Sequence, residues 1–293
     1  SELELDADIY ARVTPEQKLY IIDQLRKKGE IVAMTGTRAE DAEAIEKSDI
    51  GITISENTTG SAFEAADVIM HDDNFSAIAD MISSARQVHR NIKRACSVLI
   101  SGYLSLVLLN MLNLFGDAQL MLNPAIIAVL TMFILPLAAL AGLNNNTDRR
   151  GSMPPSRFIT SNQINYRFIA LACIVGALCG AASIASYMFM YKGSNADFAR
   201  SCSFLSFGFC TALFTFINLS TGNPFTGFAS AGKPALLGVL LPALLPIVLV
   251  FVPGLNSVFG LTGIDMLATF ISIVTGIIPP LGFAIVRSIL KIN

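Results

Sequence analysis

Charge is what this sequence has least of. Asp, Glu, Lys and Arg make up 14% of its 293 residues, hydrophobic residues make up 53%, and the mean hydropathy is +0.59. A soluble domain is about one-quarter charged, so the composition points to a membrane protein. A net charge of −2 gives no electrostatic case for a nucleic-acid partner. Histidine is nearly missing: His71 and His89 stand alone, with no His pair and no Cys-x-x-Cys, which removes the common metal-binding spacings. Cys96, Cys173, Cys179, Cys202 and Cys210 all lie in or beside apolar runs. They are expected to be small packing residues rather than disulfide partners or ligands. The start, "SELELDADIYARV", is acidic and polar, unlike a secretory signal.

What the sequence does hold is six long apolar runs, near 95–115, 124–142, 168–191, 202–219, 234–254 and 267–290. A bilayer core of about 30 Å takes roughly 20 apolar residues as helix, so each is expected to span, the fourth being the shortest. Most charge lies ahead of them, in residues 1–94. Basic residues set the orientation. Arg86, Arg90, Lys93, Arg94, Arg149, Arg150, Arg157, Arg167, Lys233, Arg287 and Lys291 fall on one side, against Lys192 and Arg200 on the other. That places the N-terminal part and the C-terminus in the cytoplasm, in a protein of the plasma membrane with the lipid bilayer as a partner.

Carboxylates are missing from the spans. Asp117, Asp148, Asp197 and Asp265 are assigned to loops, although intramembrane carboxylates are the default holders of a dehydrated cation. What remains is hydroxyl and amide: Ser101, Tyr103, Ser105, Asn110 and Asn113 on the first span, Thr131 on the second, Thr211, Thr215 and Asn218 on the fourth. Hydrogen bonding between helices is the default account of such groups. The alternative is a polar transport path with Tyr103, Asn110, Asn113 and Thr131 as candidates. Pro136 and the Pro279–Pro280 pair predict kinks or unwound turns.

Residues 1–75 read differently. "TPEQKLYIIDQLRKKG" has a cap at Thr14, Pro15 at the first helical position, and Leu19, Ile22 and Leu25 at helical spacing, with Gly29 as the stop. "EIVAMTG", "DIGITIS" and "DVIMHDD" read as strands, and "AEDAEAIEKS" and "GSAFEAA" as helices between them. Strands alternating with helices predict a parallel, doubly wound sheet, here half a domain whose open edge needs strands from elsewhere. From Asn74 to Arg94 the pattern turns helical and continues into the first span, which predicts one long stalk helix over 76–94 and beyond.

The loop in "MTGTRAEDAEAI" joins a strand to a helix through a Gly, a common place for phosphate or metal chemistry. The segments "ARVTPEQKLYIIDQL", "GEIVAMTG", "ADVIMHDDNFSAI" and "VHRNIKRACSVLIS", with "MPPSR" after the second span, resemble the C-terminal part of a P-type ATPase of the calcium-pump-like, bacterial cation-transporting branch. The resemblance implies a haloacid-dehalogenase-like, Rossmann-type cytoplasmic half-domain over 1–75 and six membrane helices over 95–293. It also implies ATP and Mg²⁺ as the family's cofactors. Lys18 matches the lysine that contacts the aspartyl-phosphate. Thr35 and Gly36 match the start of the hinge motif TGDGxND, whose first Asp is a magnesium ligand. Here that Asp is Thr37, the next Gly is Arg38, the Asn is Glu40, and the last Asp survives as Asp41, the remaining metal candidate.

Other departures follow from the same comparison. The family's nucleophile motif, DKTG, does not occur in this sequence. Family ion-site positions read Tyr103 and Leu106 in the first span, and Met132–Phe133 in the second. Mg²⁺ rests on one or two carboxylates, so losing one beside Arg38 predicts a degraded metal site and a pseudoenzyme that binds neither cofactor alone. The resemblance implies an N-terminal pump half as partner, on the same or a separate polypeptide. The alternative is half of an active split transporter moving something other than a carboxylate-bound cation, such as a lipid.

Overall fold

The structure, a computed structural model, describes residues 9–54, 59–71, 76–115, 122–143, 166–191, 195–219 and 233–290. The described residues divide into two compact units, one up to Ile82 and one from Ser83 onward.

The first unit runs α1 (Pro15–Lys27), β1 (Ala33–Thr35), α2 (Ala42–Lys47), β2 (Ile50–Ile54), α3 (Gly60–Ala65) and β3 (Val68–Met70). Helix α1 begins in a capping box: the Thr14 hydroxyl accepts from the Gln17 N–H at 3.3 Å, and the Gln17 side chain accepts from the Thr14 N–H at 2.9 Å. The strands pair in parallel in the order β1-β2-β3, with Ala33 opposite Ile50 and Ile52 opposite Val68. β2 is central, and its Gly51, Ile52 and Thr53 are buried, as expected of a parallel strand covered by helices. Ile45 of α2 is buried beside it. The predicted alternation of strand and helix is therefore present, in a sheet of three strands.

The second unit is helical. Helix α4 runs unbroken over Ser76–Phe115, as the pattern through Arg94 predicts. Then come α5 (Pro124–Val129), a π-helical turn over Leu130–Ile134, α6 (Leu135–Leu143), α7 (Tyr166–Tyr191), α8 (Ala196–Asn218), α9 (Lys233–Phe251), α10 (Leu255–Val258) and α11 (Met266–Leu290). Five segments among the described residues are long and apolar enough to cross a membrane: 76–111, 124–143, 168–191, 196–218 and 266–285. This is a membrane helical fold, with five of the six expected spans counted among the described residues. The run at 234–254 forms a further apolar helix, α9, 19 residues long, which ends at Phe251 ahead of Pro253 and Gly254.

The fourth run also departs from expectation. Far from being the shortest, α8 starts at Ala196 and takes Asp197 out of the loop and into its first turn, where it pairs with Arg200. That internal ion pair is what lets a charged turn begin an apolar helix. α8 packs against α6, α7, α9 and α11 and is the most buried of the spans.

Pro136 explains the π-helical turn before it. Its ring crowds the carbonyl four residues back and it lacks an N–H, so the ladder widens, and the Leu135 N–H reaches back to the Leu130 carbonyl. No unwound turn interrupts α11 at Pro279 and Pro280, which contradicts that part of the expectation. Cys179 of α7 and Cys210 of α8 form a disulfide, their Cα atoms 6.3 Å apart, which corrects the reading of all five cysteines as unbridged. Cys96, Cys173 and Cys202 are free.

Helices α4 and α7 meet through small residues, as membrane helices do when packing rather than hydrophobicity holds them. A Cβ at Gly176 would lie 2.5 Å from the Ser101 carbonyl oxygen. Gly176→Leu is expected to force the two helices apart at a cost of about 1–3 kcal/mol. A lowered unfolding midpoint of the detergent-solubilised chain would show it; an unchanged midpoint would contradict this packing.

Candidate functional site

The loop between β1 and α2 is built on Asp41. Three residues, Ala39–Asp41, form a 3-10 turn that leads into α2. Asp41 stands at the N-cap of α2, yet its carboxylate does not cap the helix. It turns instead to Lys18 of α1, whose Nζ donates to Oδ1 at 2.7 Å. The Asp41 side chain is 9% exposed and that of Lys18 35%. A carboxylate so far out of water needs a positive partner, and the capping box at Thr14 fixes the turn of α1 that supplies it.

Gly36 allows the approach. A Cβ there would sit 2.6 Å from the Cβ of Asp41, so no side chain fits between loop and carboxylate. The Gly36 N–H donates to the Ile52 carbonyl at 3.1 Å, and its own carbonyl accepts from the buried Thr53 hydroxyl at 2.8 Å. The Thr37 carbonyl accepts the Thr59 N–H at 3.1 Å. Thr35 ends β1. Glu40 faces solvent, where its carboxylate receives Arg38 at 3.2 Å. So Lys18, Gly36 and Asp41 come together, and Glu40 turns away with Arg38.

Mg²⁺ asks for a tight octahedron of oxygen ligands with one or two carboxylates among them. Among the described residues the loop offers Asp41, already paired with an ammonium, Glu40, turned to Arg38, and two backbone carbonyls already engaged by Thr53 and Thr59. These donors do not fit a magnesium site by themselves. In the sequence Thr53 is marked only as a Thr inside an otherwise apolar buried strand, and Thr59 carries no such mark.

In the second unit the transport-path candidates separate. Tyr103, 42% exposed, reaches the Thr131 carbonyl at 3.5 Å, at the long limit of a hydrogen bond. The Thr131 hydroxyl bonds back to the Ile127 carbonyl at 2.9 Å, and the Asn110 amide to the Leu106 carbonyl at 2.8 Å. The side chain of Asn113 lies outside the described residues. Thr211 and Thr215 likewise turn back to Phe207 and Thr211 carbonyls. Bonds between helices are made by Asn218 to Ser97 at 3.1 Å and by Thr275 to Ser206 at 3.2 Å.

Comparison with known proteins bears on both units. The family described as "Cation transporting ATPase, C-terminus" matches residues 119–289, more than half of the chain. A calcium-transporting ATPase of Bacillus subtilis is 26% identical over 265 residues, covering 87% of this chain and 29% of that protein. The cation-transporting ATPase pma1 of Synechocystis is 40% identical over 95 residues, covering 32% of this chain and 10% of its own length. The calcium-transporting ATPase 1 of Bacillus cereus is 42% identical over 93 residues, with the same shares. The chain thus spans less than a third of the length of these relatives.

Thr53→Val is expected to leave the Gly36 carbonyl without its hydroxyl partner and to cost about 1–3 kcal/mol, while Thr53→Ser keeps the bond. Thermal unfolding of the two variants checks this; equal midpoints would contradict the role given to Thr53.

Proposed function

Because the chain belongs to the cation-transporting P-type ATPases, as their C-terminal part, we propose that it forms the membrane and hinge portion of a pump impaired in ATP hydrolysis. Its magnesium-binding loop and its ion path have both lost carboxylates. The observation that carries the reading is the Lys18–Asp41 pair. Of the hinge motif's two aspartates the one kept, Asp41, is neutralised by the lysine whose family counterpart serves the phosphate, and Thr37 stands in place of the other. An ammonium that close stabilises the loop without a metal and competes with Mg²⁺ for the same oxygen.

The remaining parts of the reading follow from the same family. The three-stranded parallel sheet serves as the C-terminal portion of a haloacid-dehalogenase-like phosphorylation domain over 1–75, completed by an N-terminal pump half on the same or another polypeptide. Residues 76–94 are the stalk, and helix α9 counts as a sixth span. ATP and Mg²⁺ belong to the assembled pump, with the nucleotide held by the N-terminal half. The excess of Lys and Arg on one side of the spans supports a plasma-membrane protein with both ends of this chain in the cytoplasm.

Thr37→Asp in the assembled pump is the direct test. Restoring a hard oxygen ligand worth at least 1.4 kcal/mol raises Mg²⁺-dependent ATPase activity about tenfold or more. An activity that does not change would mean that the loop is not what limits hydrolysis. Lys18→Ala in the same background is expected to abolish the gain, since phosphate neutralisation is lost with the ammonium.

A further inference from the structure

The core of the second unit contains a small cavity that none of the foregoing uses. Its volume is about 10 Å³, and it lies between α4, which contributes Val98, Ser101 and Ser105, α7, which contributes Cys179, and α8, which contributes Thr211 and Phe214. A space of this size takes one water-sized sphere. The Cys179–Cys210 disulfide ties together the two helices that form its far wall.

The hydroxyls around it are in unequal states. Ser101 donates its proton to the Val98 carbonyl at 3.1 Å, and Thr211 donates to the Phe207 and Gly208 carbonyls at 3.1 and 2.9 Å. Both protons are committed within their own helices, so what each can offer the cavity is oxygen lone pairs. Ser105 differs. It is fully buried, and its Oγ has no hydrogen-bond partner among the described residues. A buried hydroxyl without a partner is costly in any apolar core, and inside a bilayer no bulk water can reach it.

We propose that this cavity is a binding site for a single water molecule, which donates its two protons to Ser101 and Thr211 and accepts the proton of Ser105. Three hydrogen bonds are what a buried water typically makes, and the site supplies two acceptors and one donor. A dehydrated cation is the poorer occupant. The neutral oxygens and the Val98 and Phe214 walls provide no countercharge, and an unpaired ion in such surroundings is expelled or neutralised. The site does not depend on whether the pump is active.

Radiolytic footprinting in ¹⁸O-labelled water tests this on the full chain in detergent. Hydroxyl radicals formed from a bound water oxidise the side chains beside it, and mass spectrometry locates the label. Phe214 is 3% exposed and Phe204 is 0% exposed, but only Phe214 lines the cavity. The expected result is labelling of Phe214 at least five times that of Phe204, falling to the Phe204 level in Ser105→Val, which fills the space with methyl groups. Equal labelling of the two phenylalanines in the unaltered chain would overturn the proposal, and this comparison stands even if Ser105→Val does not fold. Replacing sodium and potassium by choline should leave the Phe214 signal unchanged. A signal that depends on the alkali ion would overturn the water in favour of a cation.

Discussion

A carboxylate withdrawn this far from water must have a positive partner, and for Asp41 that partner is Lys18 at 2.7 Å. The rest of the first unit's loop is arranged around this pair. The capping box at Thr14 starts α1 where Lys18 faces the loop, Gly36 gives Asp41 room, and Thr53 and Thr59 hold the Gly36 and Thr37 carbonyls. The engagement of those carbonyls and that carboxylate within the protein holds the loop in its strand–turn–helix shape. Arg38 and Glu40 add little: both are exposed, and an exposed pair contributes about 0–1 kcal/mol.

The second unit answers to a different constraint, the lack of water in a bilayer core. Most of its hydroxyl and amide groups satisfy themselves on the carbonyls of their own helix, as Asn110, Thr131, Thr211 and Thr215 do. That local solution leaves helix-to-helix association to close packing, seen where Gly176 meets the Ser101 backbone, and to a few bonds such as Asn218 to Ser97. It also leaves Tyr103, Leu106, Met132 and Phe133 as uncharged side chains in the first two spans.

Local signals made much of this legible in advance. Thr14-Pro15 gave the start of α1, the apolar runs gave the strands, and the unbroken pattern from the stalk into the first span gave α4. What the local pattern does not carry is which side chains pair with each other. The start of α8 was hidden because Asp197 and Arg200 look like loop residues until they are seen to pair with each other. The Cys179–Cys210 disulfide joins residues 31 apart, and nothing in the spacing of five cysteines selects that pair. The pairing of Lys18 with Asp41 is not legible locally either, because a single Lys at a helix start is ordinarily a solvated charge.

The central claim is that the Lys18–Asp41 pair closes this loop in place of a magnesium ion. The most direct test is the Mg²⁺ dependence of acid-stable phosphoenzyme formation in a pump assembled from this chain and a half carrying the nucleophilic aspartate. The account predicts little phosphoenzyme at any physiological Mg²⁺ concentration. Full phosphorylation with sub-millimolar Mg²⁺ would contradict it.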